Sequence, residues 1–173
     1  MPISLTNPEW RDYSETDLVL VVDQFLNRIQ FDLAREGGVV FFHGPLGAGK
    51  STWVRTLIRR WIPNADFRGS PSFPILHEYL GASLPVYHLD LYRLKDEHEI
   101  FESGIESHLY ENPGITLIEW PEVLPEWSAA IELNPPLGKT FHVELALATE
   151  GSADGLAAEL VDESASSIRR VRF

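Results

Sequence analysis

This sequence predicts an α/β fold built around a glycine-rich phosphate loop, on three observations. The run Gly38-Val39-Val40-Phe41-Phe42 is short and apolar, as suits a strand buried on both faces. It leads through His43 into Gly44-Pro45-Leu46-Gly47-Ala48-Gly49-Lys50-Ser51-Thr52, which fits G-x-x-x-x-G-K-[ST]. Trp53, Val54, Leu57, Ile58 and Trp61 then recur at helical spacing, and the segment stops before Pro63-Asn64. Strand, loop and helix in that order distinguish a P-loop (Walker A) motif from an ordinary glycine-rich turn.

Each fixed position in the loop has a physical task. Glycines let the backbone turn tightly and bring its N–H groups against phosphate oxygens. Lys50 reaches the β- and γ-phosphates as a flexible point charge, and the Ser51 hydroxyl suits Mg²⁺. The helix N-terminus completes an anion site. Nucleotide-phosphate binding is therefore expected at Gly44, Leu46, Gly47, Ala48, Gly49, Lys50, Ser51 and Thr52.

Composition narrows the rest. A chain of 173 residues suits a single domain with a sizeable core. Fourteen basic residues against 26 acidic ones give a net charge of −12, which argues against nucleic-acid binding through the general surface. With no cysteine there is no disulfide, thiolate zinc site or iron–sulfur cluster. The start lacks a signal-peptide pattern, and no apolar run approaches a membrane span. A cytoplasmic protein without membrane contact is expected.

Along the chain, Ser14 with Asp17 three residues on reads as a capping box. Leu18, Val21, Val22, Phe25, Leu26 and Ile29 make the apolar stripe of the helix that follows. After the P-loop helix, residues 67–74 hold two prolines and a glycine and read as a loop, with hydroxyls at Ser70 and Ser72. Two strands, 75–80 and 84–90, are expected to form a hairpin around Gly81-Ala82-Ser83. The second should carry His88, Asp90 and Tyr92 on one face and Leu89 and Leu91 on the other. Residues 94–110 read as two acidic helices broken at Ser103-Gly104. The apolar strand Ile115–Ile118 then delivers Glu119 at its carboxyl end, where P-loop proteins place an acid that holds Mg²⁺. Two further strands are expected at 129–132 and 140–147. Residues 1–150 read as one domain and 151–173 as a small-residue tail, with a short helix at 156–161 and Arg169, Arg170 and Arg172 in a frayed end.

Four of these segments together resemble one family: Gly44–Thr52, Ser70-Pro71-Ser72-Phe73, His88-Leu89-Asp90-Leu91-Tyr92-Arg93 and Ile118-Glu119-Trp120-Pro121. It is the bacterial TsaE (YjeE) family of the threonylcarbamoyladenosine tRNA-modification pathway. The His-x-Asp-x-Tyr-Arg and Glu-Trp-Pro elements carry the resemblance, which runs from about Ser14 to Leu147. It implies a three-layer P-loop NTPase domain with a mixed central sheet. It also implies slow ATP hydrolysis with Mg²⁺, in support of the TsaD and TsaB proteins that modify adenosine 37 of tRNAs reading codons beginning with A. Contact with tRNA would be indirect, through that complex.

By the same resemblance Glu119 holds Mg²⁺ together with Ser51, and Asp90 lies near the γ-phosphate to orient the attacking water. Trp120 sits beside the nucleotide or partner, and Ser70 and Ser72 belong to a switch-like loop. Pro45 stands where the family often has Asp, and Ser51 and Ser72 where Thr is common. No arginine finger is evident; Arg93 or a partner is expected to supply that charge. Two other readings stand beside this one. A P-loop small-molecule kinase fits the length, although the acidic segment after Asp90 is unlike a lid for anionic substrates. The second is a nucleotide-dependent binding switch with little catalysis.

Overall fold

The computed structural model describes residues 9–29, 32–71, 75–81, 83–148 and 168–173. The chain runs through β1 (Arg11–Tyr13), α1 (Leu18–Ile29), α2 (Leu33–Glu36), β2 (Gly38–His43) and α3 (Lys50–Trp61). It continues through β3 (Leu76–Tyr79), β4 (Val86–Asp90), α4 (Glu97–Glu102), α5 (Ile105–Glu111) and β5 (Ile115–Glu119). α6 (Pro125–Leu133), β6 (Lys139–Leu147) and β7 (Arg169–Arg172) complete it.

Among the described residues seven strands make one sheet in the order β1-β7-β6-β2-β5-β4-β3. β6, β2, β5 and β4 are parallel to one another; β7 and β3 flank them antiparallel, and β1 pairs antiparallel with β7 at the outer edge. The alternation of side chains along the inner strands accounts for the layers. Val40, Phe42, Leu117 and Val143 face one way and pack with Val22 and Phe25 of α1 and Trp53 and Leu57 of α3. Val39, Phe41, Leu89 and Ile118 face the other way, against Ile100, Leu109, Trp127 and Ile131 of α4, α5 and α6. The expected three-layer α/β fold with a mixed sheet is thus present.

Local expectations hold at several points. Ser14 N–H donates to Asp17 Oδ2 at 3.1 Å, closing the capping arrangement ahead of α1. Trp53 is fully buried, and its indole N–H donates to Tyr13 Oη at 2.9 Å. That bond ties β1 to the P-loop helix.

Two expectations are corrected. Residues 129–132 are not a strand but part of α6. Leu124, Trp127 and Ile131 all turn inward at helical spacing, and Pro125 occupies the first helical position, where its missing N–H costs nothing. The three C-terminal arginines are not frayed: they form β7, paired with β6 on one side and β1 on the other. Val171, fully buried, anchors that strand. The helix expected at 156–161 lies outside the described residues.

A phosphate-loop cleft at the carboxyl edge of the sheet

Parallel pairing sets the site. Phe42 of β2 lies level with Glu119 of β5, and Glu119 lies level with Asp90 of β4. The strand that opens into the glycine loop and the strands that end in acids therefore finish at one edge, where open α/β sheets bind ligands. A cleft of about 420 Å³ lies there. Leu46, Gly47, Gly49, Lys50, Ser51 and Thr52 line one side, and Ser70, Asp90, Glu119 and Trp120 line the other. Of the site residues expected from sequence, Gly44 and Ala48 do not line it, and Ser72 lies outside the described residues.

The loop needs its glycines for two different reasons. Gly44 has φ 134°, and a Cβ there would stand 2.3 Å from the Leu145 carbonyl oxygen, so β6 leaves no room. Gly47 has φ 81° with open space around it, so its requirement is conformational. Ala48 is buried, and its N–H donates to the Pro45 carbonyl at 3.2 Å.

Lys50, the first residue of α3, is almost fully buried. Its Nζ donates to the carbonyls of Gly44 at 2.5 Å and Pro45 at 2.9 Å, and stands 3.4 Å from the centre of the Trp120 ring. Burial pushes its pKa below the usual lysine value; the charges of Glu119, Glu122 and Asp90 oppose that shift without cancelling it. Trp120 holds its ring over the ammonium from a left-handed backbone, φ 61°, the single non-glycine residue with positive φ among the described residues. Tyr92 packs against its ring at 4.7 Å.

The acids are held from both sides. Ser51 Oγ donates to Glu119 Oε2 at 2.9 Å, and His88 Nε2 meets Glu119 Oε1 at 2.8 Å. His88 is completely buried, and its Nδ1 has no partner, so the Nε2–H tautomer facing the carboxylate satisfies the pair. The face expected to carry His88 and Asp90 is therefore an interior one. Tyr92 lies beyond the end of β4 and is exposed. Asp90 accepts from Ser70 Oγ through Oδ2 and from the Tyr92 N–H, at 3.0 Å, through Oδ1.

Three further residues line the cleft: Tyr92 and Arg93 from the turn after β4, and Arg169 from β7. The sequence suggests Tyr92 only as part of a strand face and Arg93 only as a source of finger charge. It offers no site role for Arg169, whose signal is short. In Arg170-Val171-Arg172 one apolar residue stands between two cations, a period-two pattern over three residues that Arg169 does not extend.

A glycine loop opening a helix, at the edge where two acid-tipped parallel strands end in a three-layer sheet, defines the class: a P-loop NTPase-like α/β domain. The crystal structure of YdiB from Bacillus subtilis shares this fold, with a TM-score of 0.54 and 17% identity over 97% of this chain and 86% of that one. The family model described as threonylcarbamoyl adenosine biosynthesis protein TsaE matches residues 21–150, and the chain belongs to the TsaE family.

Curated proteins named tRNA threonylcarbamoyladenosine biosynthesis protein TsaE are similar to it. That of Rickettsia conorii is 38% identical over 57% of this chain and 53% of its own length. That of a Nostoc species is 40% identical over 51% and 56%, and that of Bacillus subtilis 34% identical over 54% and 56%. The chain spans about half the length of the curated relatives it matches. The resemblance drawn from its motifs is borne out.

Proposed function

We propose that this protein binds ATP with Mg²⁺ and hydrolyses it slowly, as the ATPase that supports threonylcarbamoyladenosine formation at position 37 of tRNA. TsaD and TsaB are its proposed partners in the cytoplasm, with tRNA reached through their complex. The observation that carries the reading is the pairing of Ser51 with Glu119 at the mouth of the glycine loop, level with Asp90 on the next strand. A hydroxyl and a carboxylate in contact form an all-oxygen donor set, which fits Mg²⁺ and leaves its remaining positions to phosphate and water.

The residues divide the work. Amides of the loop and the start of α3 bind phosphate oxygens. Lys50 moves from the Gly44 and Pro45 carbonyls to the phosphates, with Trp120 stacked over its ammonium. His88 keeps the Glu119 carboxylate turned toward Ser51. Mg²⁺ held by Ser51 and Glu119 would supply positive charge to offset that of the phosphates. Asp90 orients the attacking water and takes its proton, giving ADP and inorganic phosphate. Asp90 accepts one hydrogen bond on each oxygen, from Ser70 and from the Tyr92 N–H, which leaves a second lone pair on each for a water. The Ser70 contact ties its loop directly to Asp90, which supports a switch-like role for that loop.

The test separates binding from chemistry. Lys50→Ala should weaken ATP binding in a titration. Asp90→Ala should keep ATP binding and lose most hydrolysis, and wild-type turnover in that variant would remove Asp90 from the mechanism. Turnover is then compared with and without TsaB and TsaD; equal rates would count against partner activation.

A further inference from the structure

We propose that Arg169, carried into the cleft by β7, is a further phosphate-binding cation of the nucleotide site, supplied by this chain; the inference rests on the nucleotide reading above. The strand's alternation separates it from its neighbours. Arg170 Nε pairs with Asp12 at 3.0 Å and Arg172 pairs with Glu144 at 2.5 Å, both on one face. Arg169 and Val171 take the other face, the one that packs toward α1 and α3. Arg169 thus points to the layer that holds the glycine loop, and it lines the cleft with Lys50 and Ser51.

Its side chain lies against the loop itself. A Cβ placed on Gly49 would stand 3.2 Å from Arg169 Cδ and 3.3 Å from its Nε. Gly49 therefore gives the arginine stem its room as well as supplying the left-handed turn into α3. Arg169 Nε is buried with no hydrogen-bond partner, and no ion pair holds this guanidinium among the described residues. A buried donor without a partner is costly unless a ligand takes it up. The cleft already contains two carboxylates, Asp90 and Glu119, so an incoming polyphosphate needs more positive charge than Lys50 alone provides. A guanidinium suits phosphate because its planar donors form two parallel bonds. Arg93 also lines the cleft, but from a turn, whereas Arg169 is fixed by pairing with both β1 and β6. Little ordering is left to do when the ligand arrives.

The experiment measures displacement of a fluorescent ATP analogue by ATP and by inorganic tripolyphosphate, which lacks base and sugar. Arg169→Gln should weaken both ligands about tenfold or more, consistent with loss of a charge-assisted contact. Its melting temperature should stay near the wild-type value. Arg169→Lys keeps the charge but loses the two-pronged fork, and should fall between the two. Arg170→Gln, on the opposite face, should bind as wild type. Loss of ATP affinity with tripolyphosphate unchanged would place Arg169 on the base or sugar and overturn the assignment, as would wild-type affinity in both Arg169 variants. If Lys50→Ala loses ATP binding while Arg169→Gln does not, this inference alone fails. If Lys50→Ala also retains ATP binding, the nucleotide reading fails and this inference fails with it.

Discussion

Replacing His88 by Phe tests how Glu119, the proposed Mg²⁺-holding acid, is kept in place. The substitution keeps a flat ring where His88 stacks on Phe67, with centroids 5.9 Å apart, and removes the donor 2.8 Å from Glu119. A hydrogen bond to a charged partner is worth about 1.5–3 kcal/mol. Loss of the unpartnered Nδ1 returns part of that, so the lower half of the range is expected. Unfolding entropy of about 2.1 cal/mol/K per residue, over 173 residues, makes each kcal/mol worth about 3 °C. The melting temperature, read by calorimetry, should fall by about 4–6 °C. A partner that orients a metal ligand also tunes affinity by about 10–100-fold, so the Mg²⁺ concentration for half-maximal ATP turnover should rise by that factor. In a Glu119→Gln background the same substitution should cost much less. An undiminished cost there would show that His88 acts through packing alone. An unchanged Mg²⁺ requirement would refute its role in holding the acid.

Three other outcomes are expected. Tyr13→Phe strands the buried Trp53 indole N–H and should cost about 1–3 kcal/mol in denaturant unfolding; an unchanged midpoint would mean the bond contributes nothing. Gly44→Ala drives a methyl against the Leu145 carbonyl at a positive φ and should lose about 2 kcal/mol or more, together with nucleotide affinity; a stable, ATP-binding variant would contradict the geometry. Burial holds Lys50 below the usual lysine pKa, so between its lowered value and the usual one the unfolded chain binds the extra proton. That residue's contribution to stability should then climb with pH through the window. Tyr13, Tyr79 and Tyr87, all raised by burial, push the other way above the usual tyrosine value. The difference in unfolding free energy between wild type and Lys50→Met, followed from about pH 8 upward, isolates the lysine, and identical slopes would refute its desolvation.

The parts of the site legible in sequence are those written in short, contiguous code. The glycine loop, the strand before it and the helix after it each declare themselves within a dozen residues, and Glu119 stands directly after an apolar run. What escapes depends on partners distant in the chain. His88 can be placed on a face, but its burial follows from Phe67 and Glu119, which lie 21 and 31 residues away. α6 reads as a strand because the apolar pair Ala129-Ala130 beside Ile131 hides a helical period that only Leu124 and Trp127 reveal. β7 is not legible because four residues carry too little pattern, and three of them are arginines. Its stability comes from β1 and β6 rather than from propensity.

The place of β7 in the sheet bears on local opening. β1 pairs with β7 alone, and the partners Arg11 and Val171 are separated by most of the chain. Joining them closes a very long loop, so this pairing is expected to form late in folding. β1 cannot stay in the sheet when β7 leaves, and the amides of the two strands should exchange with solvent as one cooperative unit. Such an excursion would draw Arg169 off Gly49 and take Tyr13 from Trp53 in the same event. If Arg169 holds phosphate as proposed, occupancy of the cleft and the lifetime of this outer pair of strands become two readings of one equilibrium, and a bound nucleotide should slow exchange at amides that it never touches.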